Sequence, residues 1–151
     1  MLFRSAFVDV QEKLLFWLVA SWNQSFGGHV VAYGCYPDQA SSFFEAKHAK
    51  RTLAQQTKGA GFEASLHAGL EAVTQLLLGR DWMREDGVAM RVSQMLIDAN
   101  WGQSTSTVRT FCRRTPFASS VLPSHGKGIG ASSQPIGEKK GRGDQIGRAH
   151  V

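Results

Sequence analysis

Cysteine is scarce: Cys35 and Cys112 are the only two. They stand far apart, outside any CxxC spacing, which excludes a disulfide framework and a clustered zinc site and leaves two free buried thiols as the expectation. Long apolar runs are also missing. The longest, Leu14 to Ala20, is well short of the roughly 20 residues a membrane span requires, and no basic-then-apolar leader with a cleavage site opens the chain. A cytoplasmic protein without membrane attachment is therefore expected. No GxxxxGK[ST] loop and no GxGxxG opening a helix is present, so the common nucleotide-phosphate cradles are absent from the sequence, and no internal repeat is visible.

What remains is ordinary for a folded chain: 151 residues, 42% apolar and 10% aromatic, enough for one domain around one core. The net charge of +5 is unevenly distributed. From Arg109 onward eight basic residues (Arg109, Arg113, Arg114, Lys127, Lys139, Lys140, Arg142, Arg148) face only Glu138 and Asp144, so the rest of the chain is nearly neutral. A basic C-terminal third suits a partner carrying phosphates, although basic tails are common and do not by themselves identify one.

Leu2 to Val10 reads as a strand. Leu14 to Ala20 follows after only Gln11-Glu12-Lys13, the spacing of an antiparallel hairpin, and His29 to Tyr36 supplies a third strand closed by Pro37-Asp38. The polar, basic stretch beyond suggests a short helix from about Ser42 to Leu53. Phe62, Leu66, Leu70, Val73 and Leu77 recur at spacings of four and three, the stripe of an amphipathic helix that Gly79 should stop. Val88 to Asp98 is expected to form a fourth strand whose Leu96 and Ile97 are buried. Ser104 or Thr105 is the expected cap of a second helix carrying Val108, Phe111 and Cys112 inward, with Arg113 and Arg114 at its cationic end and Pro116 closing it. Ser119 to Pro123 reads as a fifth strand. From Ser124 the composition shifts to Gly, Ser and Lys, so a domain over residues 1–123 and a tail over 124–151 are expected.

Two carboxylates interrupt this pattern where a core would not want them. Asp98 ends the apolar run Met95-Leu96-Ile97 before Ala99-Asn100-Trp101-Gly102, and Asp9 stands between Val8 and Val10. An ionised aspartate in a central strand costs several kcal/mol unless it is paired or binds a metal. The bland readings are a solvated or salt-bridged Asp9, and an Asp98 that forms a turn or caps a helix. Magnesium would be the expected cation for such oxygen ligands, with phosphodiester hydrolysis as the chemistry. Glu63 and Glu71 on the long helix are more simply explained as solvated surface acids, and Trp101 more simply as core than as a stacking platform. His125 and Lys127, in Ser124-His125-Gly126-Lys127-Gly128-Ile129-Gly130, are weaker candidates for contact with a phosphate.

The order βββαβαβ resembles an RNase H-like mixed α/β sheet with flanking helices, in which the first and fourth strands are neighbours. Here those strands carry Asp9 and Asp98. Four stretches sharpen the resemblance: Ala6-Phe7-Val8-Asp9-Val10-Gln11, Tyr33-Gly34-Cys35-Tyr36-Pro37-Asp38-Gln39, Leu96 to Ser104, and Leu122-Pro123-Ser124-His125-Gly126. Together they resemble the C-terminal nuclease domain of the large terminase subunit of tailed phages, of the lambda gpA type. That resemblance implies a metal-dependent endonuclease that cuts concatemeric double-stranded viral DNA for packaging, in the cytoplasm of a bacterial host. It implies Mg or Mn in a two-metal site, Asp9 and Asp98 as catalytic metal ligands, and the small terminase subunit and portal as partners. Arg113, Arg114, Lys127 and His125 become DNA-contact candidates. It further implies a nuclease truncated at its C-terminal end, lacking a later acid and inactive as a fragment. Gln145 to Val151 reads as CAG ATC GGA AGA GCA CAC GTC, a string like a sequencing adapter, which would make the tail an artefact. Two other classes stay open: a non-catalytic DNA-binding or assembly module with an incomplete acid site, and a small-molecule α/β enzyme using the loop from Gly126 to Gly130.

Overall fold

The first strand alternates with a period of two, which is what a half-buried sheet demands. In β1 (Phe3–Val10), Arg4, Ala6, Val8 and Val10 are buried, while Phe3, Ser5, Phe7 and Asp9 face the other side. The structure, a computed structural model, describes residues 3–126. A tight turn in which the Gln11 amide donates to the Leu14 carbonyl at 3.1 Å leads into β2 (Leu15–Trp22), antiparallel to β1. β3 (Gly28–Tyr36) then pairs antiparallel with β2. This is the expected meander.

The helix expected from Ser42 to Leu53 does not form. In its place are a single 3-10 turn, Ala46–His48, and a short α1 (Leu53–Gln56). Two local choices explain the difference. Gln39 captures the amides of Lys50 and Arg51 with Oε1 at 2.9 and 3.1 Å, taking them out of helical pairing. Thr52 and Gln55 then form a capping box that starts the helix at Leu53. Both ends of that Gln39 amide are used, since Nε2 also donates to the carbonyls of Pro37 and Arg51 at 2.8 and 2.7 Å. Gln39→Ala is expected to lower stability by about 1 to 3 kcal/mol, because it strands backbone groups that are buried or partly buried. Limited proteolysis should then show cleavage concentrated between residues 38 and 51, and wild-type resistance there would contradict this role for Gln39.

The long helix is where the sequence places it. α2 (Phe62–Leu78) buries Leu66, Leu70, Val73 and Leu77, each contributing roughly 1.5 to 3 kcal/mol, and Gly79 is its C-cap. Gly69 sits on the buried side, where a Cβ would meet Leu53 at 2.5 Å, so α1 and α2 pack through that glycine.

The strand expected from Val88 to Asp98 is two elements. Ala89–Met90 (β5) folds back on Trp82–Met83 (β4), turning through Gly87 at φ +81°. Only β6 (Gln94–Asp98) joins the main sheet. Within β6, Ile97 is fully buried but Leu96 is half-buried, because consecutive residues of a strand cannot share a face. Arg4 secures the small hairpin by donating to the Trp82 carbonyl at 2.6 Å, while the Trp82 indole donates to Leu77 at 3.0 Å.

Helix α3 (Gly102–Arg114) begins two residues before the expected cap. Ser104 and Thr105 do not cap it: their hydroxyls donate to the Trp101 carbonyl at 2.9 Å each, and Thr105 also reaches Ala99 at 2.8 Å. Arg113 and Arg114 occupy the last turn as expected, and Pro116 follows the end. β7 (Val121–Ser124) begins at Val121 rather than Ser119 and runs through Ser124, one residue past the expected domain boundary.

The result is a mixed five-stranded sheet of order β3-β2-β1-β6-β7, with β1, β6 and β7 parallel. The core lies between one face of this sheet and α1, α2 and α3, and includes Val8, Leu15, Val19, Leu70, Val73, Ile97, Val108 and Phe111. The opposite face carries Phe3, Phe7, Trp22, Val30 and Tyr33, all exposed.

Both cysteines are free, but only Cys112 is buried: Cys35 is half-buried, against the expectation of two buried thiols. Burial pushes the Cys112 thiol up to about 12, with the neighbouring Arg113 charge opposing the shift less strongly. The neutral thiol is therefore the folded form at pH 8, and Cys112 should resist thiol-specific reagents until the protein unfolds. The folded value lies above the unfolded one near 9, so the stabilisation is complete below pH 9 and is lost as pH rises from there towards 12. A pH titration of the unfolding midpoint checks this, and rapid labelling of Cys112 in the native protein would refute it.

Candidate active site

β1 and β6 run parallel with Ser5 opposite Gln94, Ala6 opposite Met95, Phe7 opposite Leu96 and Val8 opposite Ile97. The next pair in this register is Asp9 and Asp98. Strands at this spacing stand about 4.8 Å apart, so the two carboxylates lie abreast at the C-terminal ends of adjacent parallel strands. Their side chains project from the open face, away from α2 and α3, because they are in phase with Phe7 and Leu96 rather than with Val8 and Ile97. Both are half-buried. The desolvation cost that the flanking valines suggest for Asp9 is thus reduced: Asp9 is in a central strand but on its wetter side.

Each carboxylate has one local donor. Gln11 Nε2 donates to Asp9 Oδ2 at 2.8 Å, and the Asn100 amide donates to Asp98 Oδ1 at 3.0 Å, an Asx turn. The turn-forming reading of Asp98 and its exposure in a site are therefore compatible. Asp9 Oδ1 and Asp98 Oδ2 accept no hydrogen bond from the described residues. An open cleft of about 430 Å³ lies at the strand ends, lined by Val10, Gln11, Glu12, Asp98, Asn100 and Trp101. Asp9 stands just outside its wall. On the other side of Asp9 its cross-strand neighbour Phe16 stacks on Phe44, with ring centroids 5.8 Å apart.

Two carboxylates with free oxygens, open to water, are a donor set that hard divalent cations accept, with water and substrate phosphate completing the shell. Among the described residues no cluster of three or more His, Cys, Asp or Glu is positioned to hold a metal. Glu71 is engaged by His67 at 3.7 Å, and Glu63 lies in the first turn of α2, so neither adds to a cluster with the aspartates. Trp101 packs edge-to-face on Phe62 at 5.3 Å, in line with the packing reading, and it also lines the cleft.

The other sequence candidates scatter. His125 is exposed and follows Ser124, which pairs with Asp98, so it is near the strand ends. Arg113 and Arg114 are exposed but lie at the far end of α3, roughly 17 Å along the helix from its start beside Asp98. The structure does not bring them to the carboxylates. Lys127 lies outside the described residues. Gln11 is the site residue that the sequence reading did not single out, although its offset of two from Asp9 places it on the same strand face. Phe44 left no such signal, because it reaches Phe16 from a loop.

Comparison with known proteins bears on the family. No curated protein matches the chain. Two solved structures of the Ppx/GppA family from Aquifex aeolicus align over 83% of this chain and 36% of theirs, at 10% identity and a TM-score of 0.41. This chain thus spans little more than a third of those proteins, and the likeness is too loose to bear on fold. A family model described as "Terminase large subunit gpA, endonuclease domain" matches residues 1–150. That match covers the meander, both aspartates and the strand ends on which they stand, and the chain belongs to the gpA-type terminase large subunit endonuclease family.

Proposed function

We propose that the chain is the nuclease part of a DNA-packaging terminase, that it hydrolyses double-stranded DNA with Mg or Mn, and that Asp9 and Asp98 are its metal ligands. The observation that carries this reading is the pairing of two half-buried carboxylates, in register on adjacent parallel strands, each with an oxygen free. The strand order β3-β2-β1-β6-β7, with helices on one face, supports an RNase H-like architecture. The donor set fits one hard cation better than two, since two aspartates supply few ligands and the rest must be water and phosphate. A two-metal site would need a further acid beyond the described residues. Bound there, the cation would polarise the phosphate and lower the pKa of an attacking water.

The chain's own residues do the rest. Gln11 and the Asn100 amide hold the two carboxylates in orientation, and the cleft between the Gln11-Glu12 turn and Trp101 admits the strand to be cut. In this reading His125, which follows Ser124 at the strand ends, would exchange a proton there. The small terminase subunit and portal are the partners this reading supplies, and the host cytoplasm is where it acts. No helix among the described residues is long and apolar enough to cross a membrane.

The shortage of acids favours one second reading, a DNA-binding module without catalysis. Incubation with supercoiled plasmid separates the two. Nicking that requires Mg or Mn and stops with EDTA is the expected result. Salt-sensitive binding without nicking, even with Mn, would favour the module.

A further inference from the structure

Phe43 is 92% exposed, yet the segment that presents it is fastened down on every side. Phe44, the next residue, is stacked on Phe16 with ring planes 18° apart, and Phe16 is the cross-strand neighbour of Asp9. The Ser41 hydroxyl donates to the Phe43 carbonyl at 3.0 Å. Lys13 Nζ donates to the Lys47 carbonyl at 3.0 Å, the Leu53 amide donates to the Lys13 carbonyl at 2.8 Å, and Gln39 ties residues 37, 50 and 51 together. The β1–β2 turn and this segment are thus one body beside the carboxylates. A phenyl ring on a pinned loop has lost the freedom to fold back and bury itself, so its exposure is built into the loop.

Its surroundings are cationic at the surface. Lys47, Lys50 and Arg51 of the same segment and Lys13 of the turn fastened to it are all exposed, and Glu45, one of the two acids in the segment, is engaged by Lys47 at 2.7 Å. An aromatic ring interleaved with lysines and arginine is the surface that nucleic acid uses, with cations on phosphates and the ring on a base. Phe26, almost as exposed, has no such setting: it sits in the β2–β3 turn at the other end of the hairpin strands.

We propose that Phe43 stacks on a base of the DNA, at a step it opens beside the scissile phosphate, while Lys13 and Lys50 hold the flanking phosphates. This rests on the nuclease reading above and adds the feature that sets where the strand lies over Asp9 and Asp98. It also predicts a preference for steps that unstack easily.

The test reads binding and base unstacking in EDTA, where no cleavage occurs, using duplex DNA that carries 2-aminopurine. Wild type should raise the 2-aminopurine fluorescence on binding. Phe43→Ala should weaken binding about tenfold and abolish the rise, with an unchanged unfolding midpoint, while Phe43→Trp should restore both. Equal affinity and an equal fluorescence rise for Phe43→Ala would overturn the proposal. So would self-association that Phe43→Ala abolishes with DNA binding unaltered, since the ring would then join two copies. Because nothing is cut in EDTA, a protein that opens the duplex but never nicks it with Mn refutes the nuclease reading alone. Metal-dependent nicking with no fluorescence rise refutes the role of Phe43 alone, and a protein that binds no DNA refutes both.

Discussion

Asp9→Asn is expected to lower Mg- or Mn-dependent nicking by at least about a thousandfold, the equivalent of roughly 4 kcal/mol of transition-state stabilisation at 1.36 kcal/mol per decade. The substitution is nearly isosteric. Asparagine Oδ1 can still accept from Gln11 Nε2, so the local hydrogen bond at 2.8 Å has a replacement. Removing one of two adjacent like charges should leave stability unchanged or raise it by about 0.5 kcal/mol, which separates a chemical loss from an unfolded protein. Asp98→Asn should behave in the same way, since its Oδ1 would still receive the Asn100 amide. The double variant should be little worse than either single one, because the two groups act as a unit. Plasmid nicking rates and thermal midpoints measured on the same samples decide the matter. Cleavage at the wild-type rate by Asp9→Asn would remove this residue from the site.

Phe111→Ala is expected to cost about 3 to 5 kcal/mol, a large share of the 5 to 15 kcal/mol that holds a domain of this size together. Phe111 is 1% exposed and is the largest of the fully buried side chains. Its ring meets the His67 ring edge-to-face at 5.5 Å, so it is one of the contacts by which α3 packs on α2. Truncation opens a cavity that the sheet on one side and α2 on the other cannot both close. Phe111→Leu, which leaves a smaller void, should cost about 1 to 2 kcal/mol. Urea unfolding gives both numbers, and a midpoint for Phe111→Ala within error of wild type would show that α3 is not part of the cooperative core. The carboxylates would suffer indirectly: α3 starts four residues after Asp98, and a loosened α3 frees the Asn100-Trp101 turn that orients it.

The residues that could be read in advance were those whose local pattern and global role agree. α2 is the clearest, because a four-three stripe of leucines and valine has one face to bury and Gly79 to end it. The meander was legible for the same reason, since short connections leave adjacent antiparallel pairing as the natural outcome. Legibility failed where a group from elsewhere competed for the backbone. Gln39 took the amides that a helix over residues 42–53 would have used, and Trp82–Met83 took Ala89–Met90, the start of the expected fourth strand, as a hairpin partner, leaving only the last five residues to the main sheet. Arg4 shows the limit of composition. Strand period alone puts it on the buried face with Ala6 and Val8, where one guanidinium N–H reaches a carbonyl, Trp82 O, which no sequence pattern announces, while Nε finds no hydrogen-bond partner among the described residues.

By itself the sequence determined that Asp98 ends an apolar run and that Asp9 interrupts one, properties of residue type that the chain carries with it unfolded. That the first and fourth strands are neighbours was implied only by the resemblance to a terminase nuclease. Only the tertiary structure decided which face the carboxylates point from and what stands beside them. A register of Val8 opposite Ile97 puts both on the open side, and a shift of one residue would have turned one of them into the core. Likewise, Phe43 and Phe44 are identical neighbours in sequence. Packing on Phe16 hides one beside Asp9 and leaves the other in solvent, because a loop pinned at both ends can bury only one of two consecutive side chains.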